Sequence, residues 1–465
     1  MTDIAFTITN KISVPYRPCA KSELLDDFIY NSLTMLNPVW LENHRLGRFN
    51  WKTPKELYFY EEEGKDDLFV PRGFLVDIIQ CCEKKQIEYK IENKTIAYEN
   101  INWEFSGALR PFQKIAIKEM LSEDIGTLCA PTGSGKTVMG IYMITKRKQP
   151  TIIIVHTKEL LFQWRERLKQ FTNIEGHQIG MIGDGHLDED KDITIALIQT
   201  LRNHPEMIDQ YGHLIIDECH RIPSKTHTNI ASQFKGKYMT GLSATPFRRD
   251  GLSKVIEWYA GPILHKIEPK DLIESGHIVP IKSIIRKTNF ISMLEDPSAE
   301  YSKLLQELSL DEERNKMIVD DVLNEMVNGE TCLVLTDRKN HCEELNQIMI
   351  SQGMKVAKIL TGDVPAKRRK QIIEWINDGK VPVVIATGQL IGEGFDCKNL
   401  SCLFLTLPIR FSGRIIQYIG RVLRPMKSKD KALIYDYFDE SVRCLYGSYK
   451  ARIKEYKKLE VKKGG

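Results

Sequence analysis

Residues 130–137 read Ala-Pro-Thr-Gly-Ser-Gly-Lys-Thr, and this stretch narrows most what the chain can fold into. Leu128 and Cys129 close an apolar run before it, and Val138, Ile141, Tyr142 and Ile144 follow at helical spacing. Strand, glycine turn and helix in that order are what a phosphate-binding loop requires. Gly133 and Gly135 let the backbone of Pro131-Thr132-Gly133-Ser134 curl so that the N–H groups after the proline, on into the helix N-terminus, face a polyphosphate. Lys136 supplies a point charge for the outer phosphates, and Thr137 offers a hydroxyl to Mg²⁺. Alone, the motif leaves the reaction open among NTPases, kinases and transporters. The plainer alternative is a glycine turn that happens to end in Lys-Thr.

At 465 residues the chain exceeds one ordinary core, and length favours roughly three domains of about 150 residues each. A net charge of +4 is mild, so any polyanion must be met by local patches. The ten cysteines include no C-x-x-C pair and no Cys/His cluster at zinc spacing, which points to free thiols in a reducing compartment. No apolar run approaches the roughly 20 residues of a spanning helix, and the N-terminus lacks a basic flank with an apolar core. The expectation is a cytoplasmic protein with no membrane partner, of a prokaryote or a phage-infected cell.

Residues 1–104 read as a small α+β module. Ile4, Phe6 and Ile8 alternate as in a strand, and Leu24 to Leu36 is helical. Glu56 to Tyr60 and Asp67 to Val70 form a strand pair about Glu63-Gly64-Lys65, Phe74 to Lys85 is helical, and Tyr89 to Tyr98 is a hairpin about Asn93. Trp40, His44, Arg45, Arg48, Phe49, Trp51 and Lys52 interleave rings and cations, as a surface that stacks bases and tracks phosphates does. The competing reading, slightly favoured, makes Trp40, Phe49 and Trp51 core and the cations a solvated face. Residues 105–265 alternate strand and helix, which predicts a parallel sheet covered on both faces with its loops gathered at the carboxyl edge. Residues 266–445 begin with a connection, a strand at Pro280 to Arg286 and a helix over Ala299 to Met326, and then repeat the alternation without a glycine-rich loop of their own. Two such lobes with one phosphate loop imply a single nucleotide at their interface. Residues 446–465 read as a basic helix with a frayed, solvated end.

His213-Leu-Ile-Ile-Asp-Glu-Cys-His220 is an apolar strand ending in two carboxylates. Downstream of a phosphate loop, Asp217 is placed to share Mg²⁺ with Thr137, and Glu218 to orient and deprotonate the attacking water. An isolated Asp-Glu would instead be read as a helix cap. With Ala130 to Thr137, the Asp-Glu-Cys-His run resembles motifs I and II of the superfamily 2 helicases. Ser243-Ala244-Thr245 is similar to their motif III, Leu109 to Gln113 to the Q motif, and His156 to Leu160 to motif Ia. Thr387 with Gly392 to Asp396 is similar to motif V, and Gln417 to Arg424 to motif VI. The set occurs in the superfamily's order over about residues 105–440.

The resemblance implies two tandem RecA-like, doubly wound parallel-sheet lobes preceded by the α+β module, and ATP with Mg²⁺ as cofactors. Gln113, supported by Arg110, would read adenine. Gly394 and Asp396 would join the nucleotide contacts, and Gln417, Arg421 and Arg424 would serve the γ-phosphate, the two arginines lying three apart on one helix face. Lys158, Gln199, Thr200, Lys339 and Thr387 would hold one strand's backbone, with Arg45 and Arg48 as further nucleic-acid contacts. Ser243 and Thr245 would couple the two sites. Arg248-Arg249-Asp250 is similar to the R-E-D triplet of XPB-type DNA-repair helicases, with arginine in place of the middle acid. Asn37-Pro38, Arg45 to Arg48 and Phe69-Val70-Pro71-Arg72-Gly73 are similar to the N-terminal region of compact helicases of tailed phages and related prokaryotic enzymes, some of which remodel branched DNA. The expectation is therefore a DNA motor acting on forked or branched DNA. An RNA helicase, a motor subunit of a restriction or defence assembly, and a helicase-like scaffold are the alternatives.

Overall fold

The computed structural model describes residues 4–15, 20–63, 67–245, 248, 250–354, 357–392, 397–409, 412–426 and 429–460. The chain divides into two compact units, Met1–Ala130 with Gly135–Lys266 and Pro131–Ser134 with Ile267–Gly465.

The first unit holds two sheets. The N-terminal sheet runs Glu61–Glu63, Asp67–Val70, Ile12–Pro15, Ile4–Ile8, Tyr89–Asn93 in spatial order. Alternation buries Ile4, Phe6 and Ile8 on one face. The turn proposed at Glu63-Gly64-Lys65 includes positions outside the described residues. The hairpin expected over Tyr89 to Tyr98 does not form. Tyr89–Asn93 instead pairs in parallel with Ile4–Ile8, reached through the helix Leu75–Lys85. Asn93 explains the misreading, because its side chain accepts from the backbone N–H and the hydroxyl of Thr95. That is a local turn of the chain and not a strand reversal. The chain runs on to Ile96, which bridges Gly236 in parallel.

The larger sheet has eight strands in the order His186–Leu187, Ile179–Gly183, Ile193–Leu197, Thr151–Val155, His213–Asp217, Tyr238–Ser243, Ile125–Cys129, Ile263–Lys266. All neighbours are parallel except the short His186–Leu187 edge. The continuous apolar runs lie buried between covering helices, as doubly covered strands must. The small sheet does not stand apart from this lobe. Leu252, Val255 and Trp258 enter the core built by Phe6, Ile12, Leu25 and Phe74. Buried Arg72 donates to the carbonyls of Gly236 and Lys237 at 2.7 and 2.8 Å. Gly73 passes so close that a Cβ there would lie 2.0 Å from the Glu257 carbonyl oxygen, and only glycine fits.

The second unit carries a six-stranded parallel sheet in the order Ile281–Lys287, Ala432–Phe438, Cys402–Leu405, Cys332–Thr336, Val383–Thr387, Lys358–Leu360. The single helix expected over Ala299 to Met326 is two, Tyr301–Leu310 and Glu312–Val327. Asp311 divides them by leaving the helical region and capping the second through its bond from Arg314 N at 2.8 Å. The basic tail is also corrected in part. Tyr446–Leu459 is a helix whose Arg452 grips Asp436 with two bonds of 2.6 and 2.8 Å, while Tyr456 donates to the same carboxylate at 2.6 Å. All three side chains are buried, so this face is interior. Residues 461–465 lie outside the described residues.

A polar chain runs through the core at the end of Cys332–Thr336. Arg314 pairs with Asp439 at 2.9 Å, Asn315 donates to the Ser309 carbonyl, and His341 lies 2.9 Å from both Asn315 Oδ1 and Thr336 Oγ1. With its amide nitrogen engaged, Asn315 presents its oxygen to His341 Nε2, so Nε2 carries the proton and Nδ1 accepts from Thr336. Burial, then the charges of Arg314 and Arg338, push the His341 pKa down to about 3 from an ordinary 6.5. Between those values the unfolded chain binds the extra proton. The stability conferred by neutral His341 is thus complete above about pH 6.5 and is lost as pH falls towards 3. The unfolding free-energy difference between wild type and His341→Gln should shrink by roughly 1 kcal/mol per pH unit below pH 6. Urea denaturation at pH 7, 6 and 5 measures it, and a difference independent of pH would refute the assignment.

Candidate functional site

Parallel register brings the motifs of the first unit to one edge. Ser243 pairs with Cys129, Asp217 with Leu242, and Leu197 with Val155, so the segments after these strands leave the sheet on the same side. The phosphate loop leaves Cys129 and enters the helix Lys136–Arg147 through Gly133 and Gly135, at φ +88° and +84°. Gly135 is doubly constrained, because a Cβ on it would lie 2.5 Å from Gln113 Nε2. Gln113 is buried and its Oε1 accepts from Arg110 N at 3.0 Å, so the Q-motif amide is fixed against the loop. Lys136 Nζ donates to the Ala130 carbonyl at 3.0 Å, and Thr137 occupies the first turn of the helix.

Asp217 is buried and Glu218 is half-buried. Trp164 Nε1 donates to Asp217 Oδ2 at 2.8 Å, and Asp217 Oδ1 accepts from Glu218 N at 3.0 Å. Burial first, and the neighbouring Glu218 charge next, raise the Asp217 pKa. For Glu218 burial pushes the other way from its partners. The His220 hydrogen bond and the Lys136 charge prevail and hold it at about 2, an ionised base. Glu218 also sits in the left-handed region at φ +51°, ψ +50°, which costs of order 1 kcal/mol or more for a non-glycine residue. His220 Nδ1 is 3.1 Å from Glu218 Oε2 and 3.2 Å from Ser243 Oγ, and Ser243 Oγ accepts from Thr245 N at 3.1 Å. Motifs II and III are therefore joined through one imidazole.

The donor chemistry here fits Mg²⁺. Thr137 and Asp217 offer hard oxygens, and an acidic group whose burial penalises its charge is relieved by an adjacent cation.

The remaining expected positions fall in two groups. Lys158 follows Thr151–Val155 and pairs with Asp184, Gln199 donates to the His156 carbonyl at 3.1 Å, and Thr200 shares its short helix Ile198–Leu201. In the second unit Lys339 follows Cys332–Thr336 and pairs with Asp363 at 2.6 Å, while Thr387 ends a strand in register with Thr336. Both lysine pairs are exposed and so weak that a phosphate could displace the acid. Arg45 and Arg48 are exposed on the N-terminal excursion. Gly394, Asp396 and Arg249 lie outside the described residues, as does the side chain of Gln417.

Two features were not visible in the sequence. Trp164 has no motif to mark it, and its role depends on a helix crossing behind Asp217. The second concerns Arg421 and Arg424, which do not share a helix face, because the helix Ser412–Val422 ends before Arg424. Pro425 disfavours helical backbone at the residue before it. Buried Lys429 then closes the end, donating to the carbonyls of Leu400 at 2.6 Å, of Val422, and of Arg424 at 3.2 Å. Arg248, from the R-R-D triplet, chelates Asp250 and donates to the His220 carbonyl at 3.0 Å.

The family model of the type III restriction enzyme res subunit matches residues 106–248, and that of the helicase conserved C-terminal domain matches residues 314–426. The chain is a superfamily 2 helicase. Its two large sheets are the tandem RecA-like lobes of that superfamily. The helicase is 26% identical over 369 residues to the putative ATP-dependent RNA helicase L396 of Acanthamoeba polyphaga mimivirus, a match covering 76% of this chain and 66% of that one. It is 25% identical to the DNA 3'-5' translocase XPB2 of Sulfurisphaera tokodaii, over 70% of this chain and 80% of the relative. It is also 25% identical to the ATP-dependent DNA helicase uvsW of enterobacteria phage T4, over 71% and 68%. Among the described residues no helix is long and apolar enough to cross a membrane.

Lys429→Met in this helicase removes the donor from three carbonyls at the arginine-bearing segment, and ATP turnover should fall about tenfold. Steady-state kinetics on protein whose unfolding midpoint is recorded in parallel measures this. Unchanged kcat would remove Lys429 from the positioning of Arg424.

Proposed function

We propose that this helicase hydrolyses ATP to translocate on DNA and to unwind or branch-migrate forked or junction DNA. The observation that carries the reading is geometric: Glu218 follows Asp217 at the sheet edge, its carboxylate 3.1 Å from His220 Nδ1, where the phosphate loop with Lys136 and the fixed Gln113 amide also lie. A nucleoside triphosphate seated on the loop puts its outer phosphates against the helix N-terminus and Lys136, with adenine read by Gln113 and Arg110. Glu218 takes the proton of the attacking water. Thr137 and Asp217 would hold Mg²⁺, which would neutralise charge on the β- and γ-phosphate oxygens. Arg421 and Arg424 stabilise the charge that develops on the γ-phosphate during turnover, with Gln417, Gly394 and Asp396 completing the nucleotide contacts. Lys158, Gln199, Thr200, Lys339 and Thr387 hold the backbone of one strand, contacts that carry no sequence code. His220, between Glu218 and Ser243, passes the state of the nucleotide to Ser243 and Thr245.

DNA is favoured as the track by the resemblance of motifs V and VI, and by the names of the XPB2 and uvsW relatives. A branched form is favoured by the resemblance of Asn37-Pro38, Arg45 to Arg48 and Phe69 to Gly73 to tailed-phage helicases, and by the exposed cations of the N-terminal module. The name of the mimivirus relative supports RNA as the second reading.

The deciding experiment is the steady-state ATPase rate without nucleic acid and with single-stranded, duplex, forked and four-way-junction DNA and matched RNA, at one salt concentration. Fork or junction DNA should stimulate beyond single strand and duplex, and stimulation chiefly by RNA would transfer the mechanism to that track. Lys136→Ala and Glu218→Gln should each lower stimulated turnover by about 10²–10⁴ with the fold intact. Substantial residual turnover in either would sink the assignment. Arg45→Ala with Arg48→Ala should weaken forked-DNA binding and reduce the slope of log affinity against log salt by about 2. An unchanged slope would remove both arginines from the DNA contact.

A further inference from the structure

The N-terminal unit carries an excursion, residues 34–58, that begins and ends in a two-stranded ribbon of Thr34–Leu36 against Glu56–Tyr58. At its tip Phe49 is 98% exposed and Trp51 is 91% exposed. The expectation that these rings are core is overturned. The loop that bears them is nevertheless fixed. Asn37 caps the helix Pro38–Arg45 through Val39 N and holds the Pro54 carbonyl at 2.9 Å. Asn50, between the two rings, donates to the Trp40 carbonyl at 3.1 Å, accepts from Asn43 Nδ2 at 3.0 Å, and takes Thr53 N on its own carbonyl. Gly47 makes the turn at φ +64°, and Arg48 N bonds to the Asn43 carbonyl. Backbone order is thus achieved by polar side chains, and the rings at the positions flanking Asn50 take no part in it.

We propose that Phe49 and Trp51 are a base-stacking tip that receives unpaired nucleobases where a DNA strand leaves a duplex. The proposal rests on the reading of the chain as a DNA motor, and it names the feature of the substrate that the N-terminal module selects. Charge supports this occupant. The tip reads Arg48-Phe49-Asn50-Trp51-Lys52, with Arg45 one turn away on one side and Lys55 on the other, and the nearest acids in sequence are Glu56 and Glu42, beyond those cations. Trp40 is already stacked on His44 at 5.0 Å, with Lys55 Nζ over the Trp40 ring at 5.8 Å from its centroid, and so is not part of the free surface. Two rings flanked by cations match bases flanked by phosphates along a strand. A duplex interior hides its base faces, so only an end, a fork or a single strand offers them to an exposed ring. Val39 and Leu41 are also exposed on the helix, which makes apolar docking of a protein the outcome to separate.

The test uses the full chain with Phe49→Ala/Trp51→Ala. Affinities for a fork with two unpaired arms and for a blunt duplex of the same sequence are measured at one salt concentration, with 2-aminopurine at the first unpaired position as a second probe. The fork-to-duplex affinity ratio should fall about 10- to 100-fold. Phe49→Tyr/Trp51→Phe should restore it, and wild type but not the alanine variant should quench 2-aminopurine. An unchanged ratio, equal loss on both DNAs, or rescue by Phe49→Leu/Trp51→Leu would overturn the proposal, the last by showing an apolar docking surface. Wild-type DNA-stimulated ATPase on the same preparation separates the two readings. Stimulation with an unchanged ratio removes the tip alone, whereas absent stimulation removes the motor and the tip together.

Discussion

A carboxylate taken out of water at the end of a strand costs several kcal/mol unless partners return that energy, and much of the first unit supplies partners to buried Asp217 and half-buried Glu218. Trp164 reaches Asp217 from the helix Lys158–Phe171, Lys136 brings its charge from the phosphate loop, and His220 turns back on Glu218. Each partner comes from a different segment after a different strand, so the pair tolerates no slip in the sheet register. The strained backbone of Glu218 is part of the same arrangement: a left-handed residue there lets the chain turn at once and places His220 between motif II and Ser243.

The second unit uses the same physics for positioning. Ion pairs that would be weak at the surface are buried in Arg452–Asp436 and Arg314–Asp439, where losing one partner would strand the other charge. Lys429 differs, since its hydrogen bonds go to backbone carbonyls and Glu330 acts on it only as a nearby charge. Burial pushes its pKa down to about 8, yet three backbone oxygens hold it at the end of the helix that carries Arg421. The geometry of the arginine segment therefore depends on a lysine that belongs to no motif.

Most of the architecture was legible because doubly covered parallel strands are continuous apolar runs. Thr151 to Val155, Ile193 to Leu197, His213 to Asp217 and Tyr238 to Ser243 announce themselves in this way, and the glycine loop announces the helix after Cys129. Ile179–Gly183 and Ile263–Lys266 did not, because short strands with glycine or mixed polarity look like loops. The break at Asp311 was hidden by a charge pattern that suits one long helix. The hairpin about Asn93 was misread because an asparagine turn has the same local signature whether or not the strand reverses. Phe49 and Trp51 were misplaced for a related reason: hydrophobic character says that a ring favours burial, while the pinned loop around Asn50 decides that it stays in water.

The sequence by itself determined the class of chemistry. A glycine loop ending in Lys-Thr and an acid pair closing an apolar strand are constraints between residues a few positions apart, and local backbone geometry enforces them. Tertiary structure alone decided which residues support that chemistry and which surfaces remain. Trp164 behind Asp217, Lys429 beneath Arg424, Arg72 joining the small sheet to the lobe, and the exposed rings beside Asn50 all depend on segments distant in sequence. Their spacing along the chain carries no information about contact, because it is the packing of whole elements that brings them together.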